Sequence, residues 1–278
     1  IDLSTRRFKV AGHAIAGFDA LRVKNTSTGA WDDKAFASTD LALGEFTIGS
    51  ADWSDGKEIA VDFRGKAVSG VLMDNAADIV KDLLTVELSE PVANLNSASF
   101  TAAKNKLDIG AVFNSSARAT LGKIGVFLDK ATEGRSVIET INLAVGSYLF
   151  SDSSGLFYYR VFEPAVGEGL TELTEKDIYS FAETTDSAEV YSRVTVRYNR
   201  RAVQDWAESY VYDIPERQYL HDQPEPALLE KDAVLSATAD AQRLGQRLGF
   251  QEGRPARRWK LSAPARLLLT KLPGDYLH

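Results

Sequence analysis

The chain contains no cysteine. A disulfide framework, a thiolate nucleophile and a cysteine-based zinc site are therefore excluded, and thiol usage says nothing about the redox compartment. Histidine is nearly as scarce: His13, His221 and His278 are far apart, and none has a second ligand type at helical or turn spacing. Neither a Gly-x-x-x-x-Gly-Lys-[Ser/Thr] loop nor a Gly-x-Gly-x-x-Gly turn after a strand is present, which leaves phosphate cradling without a carrier. No apolar run approaches the ~18 to 20 residues of a membrane helix, and the opening IDLSTRRFKV has no apolar signal-peptide core. Methionine occurs once, as the internal Met73, and LPGDYLH stops just past a Pro-Gly-Asp turn where a strand would begin. The expectation is a piece of a longer protein.

What is present is ordinary globular material. The 278 residues, at about 150 per domain, suggest two domains, and the composition of 44% hydrophobic, 10% aromatic and 26% charged residues suits a packed core. Thirty-two basic against 39 acidic side chains give a net charge of −7, so the surface as a whole repels phosphate backbones and anionic headgroups.

Residues 1–68 read as strands: FKVAGHAI, ALRV and EFTI are separated by the turn signals NTSTG and WSDGK. In KEIAVDFRGKAV, Ile59, Val61 and Phe63 alternate with Ala60, Asp62 and Arg64, the period of a half-buried strand. A small barrel or sandwich is the natural expectation. The period then changes in DNAADIVKDLL, where Asp74 or Asn75 can cap a helix with Ile79, Val80, Leu83 and Leu84 on one face. A second helix is expected at 135–146, capped by Ser136 and stopped by Gly146, with GKIGVFLD between the two as a strand. SYLFSDSSGLFYYRVF reads as a hairpin around Asp152-Ser153-Ser154-Gly155. EVYSRVTVRYNRR reads as a strand with Val190, Val194, Val196 and Tyr198 on one face, and AESYVYD as its antiparallel partner. Residues 213–230, holding three of the eight prolines, read as an extended connector, and the last helix spans 237–250 before strands return.

Candidate chemistry is thin. The acid pairs Asp32-Asp33, Asp52/Asp55 and Glu172/Glu175 could serve a glycosidase, which needs two carboxyl groups flanking a sugar bond, although they fall in turn-like polar segments. Trp259 among Arg257, Arg258 and Lys260 could stack on a base, or could face a core while alternating with Leu261. Charge is unevenly placed. Eight acids and one base lie between Val161 and Val190, and eight bases and one acid between Arg243 and Lys271. Such stretches suit complementary surfaces, within the chain or between copies, or simply solvated faces.

The order of segments carries a resemblance. DIVKDLL, SVIETINLAVGSYLF, SDSSGLFYYRVFEP, LTEKDIYSF, EVYSRVTVRYNRR and ADAQRLGQRLGF with RPARRWKLSAPARLLLTKLPGD together resemble the baseplate hub or tail-tip proteins of tailed bacteriophages, a family also found in gene transfer agents and contractile injection systems. The resemblance covers roughly residues 72–278. It implies a β-rich α+β, hub-like fold: a β-barrel-like domain at 1–68, an inserted α+β domain at 69–165 ending in the aromatic hairpin, and a second barrel-like region at 166–278 with one helix, truncated at its end. It further implies a structural, non-enzymatic role in the virion tail, assembled in the host cytoplasm. There the chain forms a homotrimeric ring at the distal end of the tail tube. Partners would be the distal tail or tail-tube protein, the tape-measure protein and tip, fibre or spike proteins, with DNA only in transit. No cofactor, metal or catalytic residue is assigned. Glu172, Glu175, Asp177, Arg254, Arg257 and Arg258 are candidates for subunit contacts, and Asp32, Asp33, Asp52 and Asp55 for the channel wall. The other reading is a phage-associated cell-wall glycosidase or carbohydrate-binding module.

Overall fold

A computed structural model describes residues 5–54, 57–109, 123–126, 132–161, 178–186, 191–201, 203, 206–214, 227–252 and 256–262. The chain divides into two compact units. The first comprises Ile1–Asp74 with two returns, Gly125–Phe127 and Arg200–Ala207, and the second comprises the remainder.

In the first unit, β1 (Arg7–Lys9), β5 (Glu45–Ile48) and β4 (Phe36–Asp40) form one antiparallel sheet in the order β1-β5-β4. A second sheet has the order β3-β2-β6-β7, from β2 (Ile15–Lys24), β3 (Trp31–Lys34), β6 (Ile59–Val68) and β7 (Val71–Leu72). The alternation in β6 holds in part: Val61 and Ile59 stand opposite Leu21 and Val23 and pack half-buried against the core, while the strand's buried residue is Ala60 of the other set. That core is aromatic. Phe8, Phe46 and Trp53 are buried with Leu21, Val23 and Ile48, and Phe46 has the rings of Phe8, Phe18 and Phe36 at centroid distances of 5.4 to 5.5 Å. Hydrophobic transfer together with edge-on ring contacts holds the two sheets together. Both sheets are open. Among the described residues no sheet closes into a barrel, in this unit or in the second, although barrel-like domains were expected at 1–68 and 166–278; in the first unit the two sheets share one core.

The second unit begins at α1 (Ala76–Asp82), where Asn75 rather than Asp74 provides the cap: its Oδ1 accepts the Ala77 N–H at 2.9 Å. The helix continues through one π turn, Leu83–Glu87. It packs on α2 (Ser97–Ile109), a helix absent from the sequence expectation, which buries Phe100, Ala103 and Leu107 at helical spacing. α3 (Gly134–Val145) starts two residues before the expected cap: the Val137 N–H reaches the Glu133 carbonyl, and no side chain caps the end. It stops at Gly146 as expected, with φ +71° and its N–H on the Asn142 carbonyl. Of the expected strand GKIGVFLD, residues 123 and 124 make only isolated bridges, to Asn75 and Leu235, and 127–129 lie outside the described residues.

β8 (Ser147–Ser151) and β9 (Phe157–Val161) form the expected hairpin. β11 (Arg193–Tyr198) is central in the order β12-β11-β13, antiparallel to β12 (Glu208–Asp213) as expected and parallel to β13 (Leu228–Asp232). Val194, Val196 and Tyr198 are buried beneath α4 (Thr238–Glu252), as their alternation requires. Gly245 and Gly249, one turn apart on α4, let it lie against Tyr210 and Tyr212. A Cβ on Gly245 would come within 3.1 Å of the Tyr210 ring. β13 starts inside the expected connector, of which 215–226 lie outside the described residues. Finally β10 (Ser180–Asp186) pairs antiparallel with β14 (Ala256–Ser262). The architecture is thus β-rich α+β, with four helices among the described residues.

Candidate functional site

Surfaces that could hold partners, rather than a cleft, organise the polar and aromatic side chains. The hairpin β8–β9 shows how. One face sends Tyr159 into the core, where it stacks on Phe100 at 5.5 Å and shares a 2.6 Å hydrogen bond with Ser147, whose Oγ also reaches Asn142. Burial pushes the Tyr159 hydroxyl well above its ordinary range, which keeps it a neutral hydrogen-bonding group.

The opposite face, half-buried, carries Tyr148, Phe150, Tyr158 and Arg160. Phe150 is the centre: Tyr158 stands across from it at 5.3 Å with planes 9° apart, Tyr148 lies at 5.8 Å along the strand, and the Arg160 guanidinium is 5.6 Å from the ring. The near-parallel rings stand in a ladder, a surface suited to packing against another protein. The period-two spacing of Tyr148/Phe150 and of Tyr158/Arg160 was the sequence signal for this face, which reading the segment only as a hairpin passed over.

The turn is preorganised by one carboxylate. Asp152 Oδ1 accepts from the Ser154 hydroxyl (2.6 Å), the Ser154 N–H (2.9 Å) and the Leu156 N–H (3.0 Å), while Oδ2 accepts from the Tyr158 hydroxyl. The Ser154 hydroxyl first, then these backbone donors, hold its carboxyl below the ordinary value, against some desolvation. The ionised form is favoured in the folded turn, so its stabilisation is complete above the unfolded carboxyl pKa of about 3.9 and is lost as pH falls through the lower folded value. We expect the protection of the Ser154 and Leu156 amides, relative to their intrinsic exchange rates, to fall on acidification below that range, and Asp152→Asn to flatten that pH dependence. An unchanged profile in the variant would assign the turn's stability to its backbone alone.

The channel-lining candidates fall in the first unit and are not bare charges. Asp33 pairs with Arg22 at 3.2 Å, Asp52 with Lys34 at 3.5 Å, and Asp32 accepts from Asn25 at 3.4 Å, while Asp55 lies outside the described residues. Arg22 also bonds Asp62 at 2.8 Å, and that bond, ahead of the opposing desolvation, raises the guanidinium's pKa. Among the described residues no group of three or more His, Asp or Glu side chains is placed to hold a metal ion.

Of the subunit-contact candidates, Glu172, Glu175, Asp177 and Arg254 lie outside the described residues. Arg257 and Arg258 are on β14, opposite Thr185 and Thr184 of β10. The strand ending the acidic stretch and the strand within the basic stretch are therefore neighbours in one chain. Trp259 stands opposite Glu183 in the same ladder, and His221 and His278 lie outside the described residues. A further charge ladder, which sequence spacing alone does not reveal, crosses β11: Arg193 pairs with Asp213 on β12 at 2.5 Å and Arg197 with Asp232 on β13 at 2.6 Å.

No protein-family model and no curated protein sequence matches the chain. Among solved structures it is similar to the tail protein from Neisseria meningitidis MC58, at 14% identity and a TM-score of 0.37 over 96% of this chain and 84% of that one. It is also similar to the 43 kDa tail protein of prophage MuSo2 from Shewanella oneidensis, at 11% identity and a TM-score of 0.36 over 89% of this chain; the match spans 65% of that protein's length.

Proposed function

We propose that the chain is a structural component of a phage or phage-like tail, a subunit of a homotrimeric hub ring at the distal end of the tail tube. The ring would join the tube to the tip or baseplate and surround the DNA exit channel. The observation that carries this reading is the order of elements: of the segments on which the family resemblance rests, the described parts fold as α1, α3, the β8–β9 hairpin, β11, α4 and β14, while most of LTEKDIYSF and of RPARRWKLSAPARLLLTKLPGD lies outside the described residues. Open sheets with terminal strands and a half-buried aromatic ladder are features that an assembly subunit uses for contacts. The proposed neighbours are the distal tail or tube protein, the tape-measure protein and tip, fibre or spike proteins, with DNA passing without specific binding. A wall of acids such as Asp32, Asp33, Asp52 and Asp55 would let DNA pass, because each Lys or Arg neutralising a phosphate adds salt-dependent affinity.

Imaging of the particle at a resolution that traces this chain tests the proposal. Three copies around the exit channel are expected. A monomer elsewhere in the particle overturns the ring, and a wall lined mainly by Lys and Arg overturns the channel assignment. Turbidity of a peptidoglycan suspension should be unaffected by the purified chain; clearing abolished by replacing an acid pair would establish the glycosidase instead.

The charge-bearing stretches give a separate prediction. Reversal of Arg254, Arg257 and Arg258 to Glu should weaken assembly at low salt; a lowered melting temperature in its place would mean that the two stretches pair inside one subunit. A matching reversal of Glu172, Glu175 and Asp177 to Lys should restore part of the assembly. Exposed pairs are worth only ~0 to 1 kcal/mol each, so single reversals should change little. The role of the same six residues between subunits is read from the oligomer mass in the same samples. Unchanged mass and melting temperature together would leave the asymmetry without a structural role.

A further inference from the structure

Where α4 meets the last turns of α2 and α3, its Asp240, Arg243, Leu244 and Arg247 follow one another at three- and four-residue spacing along one face. Together with Leu107 of α2 and Ala144 of α3 they line a recess of about 250 Å³, partly open to solvent. Its walls are apolar, since Leu107, Ala144 and Leu244 are buried. The charges set among them do not balance.

Arg247 shows the imbalance. Its guanidinium lies over Gly146 and donates to the Leu143 carbonyl at the end of α3, and among the described residues no carboxylate pairs with it. The charged group that acts on it is a second cation, Arg243, one turn away. Burial first, and then Arg243, lowers its pKa to about 10, which leaves it charged at neutral pH. Against these two guanidinium groups the recess sets the carboxylate of Asp240 and the end of α3, worth about half a negative charge. Asp240 also stands in the first turn of α4, where the helix's own partial positive charge engages it. An excess of positive charge therefore remains beside apolar walls that screen it poorly, and a half-buried cation without a counter-charge is costly.

We propose that this recess binds a carboxylate, with Arg247 and Arg243 as donors and the apolar walls taking the carbon stem. The lining is short of no more than one negative charge, so a monoanion balances it where a phosphate dianion would overshoot. A guanidinium also presents paired N–H groups that match the two oxygens of a carboxylate, and Arg247 keeps donors to spare after its single bond to Leu143. The carboxylate can belong to a free small acid or to a glutamate or aspartate side chain of a protein that packs on this part of the second unit; the chemistry recognised is the same.

The test uses the full chain, isotope-labelled at its arginine side chains and titrated at constant ionic strength with sodium propionate and, separately, with glutamate blocked as its N-acetyl N-methylamide. Saturable shifts of the Arg243 and Arg247 Nε–H resonances are expected, with a rise in melting temperature. Arg247→Lys, which keeps the charge but loses the paired donors, and Arg243→Gln should each weaken binding about tenfold or more. Asp240→Asn should tighten it about tenfold by removing a like charge, a gain that a merely loosened structure does not give. Propionate binding at least as well as the blocked glutamate assigns the site to free acids, and tighter binding of the blocked glutamate assigns it to a protein side chain. Resonances that stay in place with either acid up to about 100 mM overturn the proposal. Equal shifts with sodium chloride overturn it too, because they report screening rather than recognition, and so does weaker binding in the Asp240→Asn variant.

Discussion

Phe46→Ala should be the most damaging single truncation in the first unit, with a loss of about 4 kcal/mol, in the range found when a buried phenylalanine is cut to alanine. Phe46 is 2% exposed and touches Phe8, Phe18 and Phe36, which come from β1, β2 and β4. Its removal therefore leaves three aromatic rings without their common neighbour, and both sheets lose the contact that presses them together. Native-state hydrogen exchange gives the readout: amides of β1, β4 and β5 should open far more readily, while those of α3 in the other unit serve as the internal reference. Phe46→Leu keeps most of the volume and should lose under half as much. If the alanine variant lost less than about 1.5 kcal/mol, the aromatic cluster would not be what unites these sheets.

Gly146→Ala should have the next largest effect, about 2 kcal/mol, from two causes acting at one atom. The residue has φ +71°, where a side chain costs about 1 kcal/mol or more. In addition, an added Cβ would collide with the guanidinium of Arg247, which reaches over the glycine to donate to the Leu143 carbonyl at the end of α3. That arginine is half-buried, and burial, reinforced by nearby Arg243, lowers its pKa to about 10. Displacing it would leave an exposed terminal helix carbonyl to water, a loss of about 0.5 to 1.5 kcal/mol. The double mutant separates the causes. In an Arg247→Ala background the same glycine replacement should lose only the backbone part, giving a coupling of about 1 kcal/mol. Strict additivity of the two substitutions would show that Arg247 and Gly146 do not share this site.

The parts of this protein legible in its sequence are those decided within a few residues of chain. Gly146 ends α3 because a left-handed residue there needs no Cβ. Asn75 caps α1 through a bond two residues on, and Asp152 closes its turn through donors at Ser154, Leu156 and Tyr158. The alternation of Val194, Val196 and Tyr198 fixed which face of β11 is buried before its cover was known. These effects are local, so composition and spacing carry them. α2 escaped because its buried stripe, Phe100, Ala103 and Leu107, is thin and set among serines, threonine, lysines and asparagine; only packing against α1 and β9 makes it a helix worth burying. β13 lay hidden beside a proline-rich stretch because its burial is weak and its partner is chosen by a parallel register to β11 more than 30 residues away. The same holds for β10 with β14 and for the two sheets of the first unit. Each needs a distant strand in one register, and that choice is made by the summed burial of the finished sheets against the entropy of closing the chain between them.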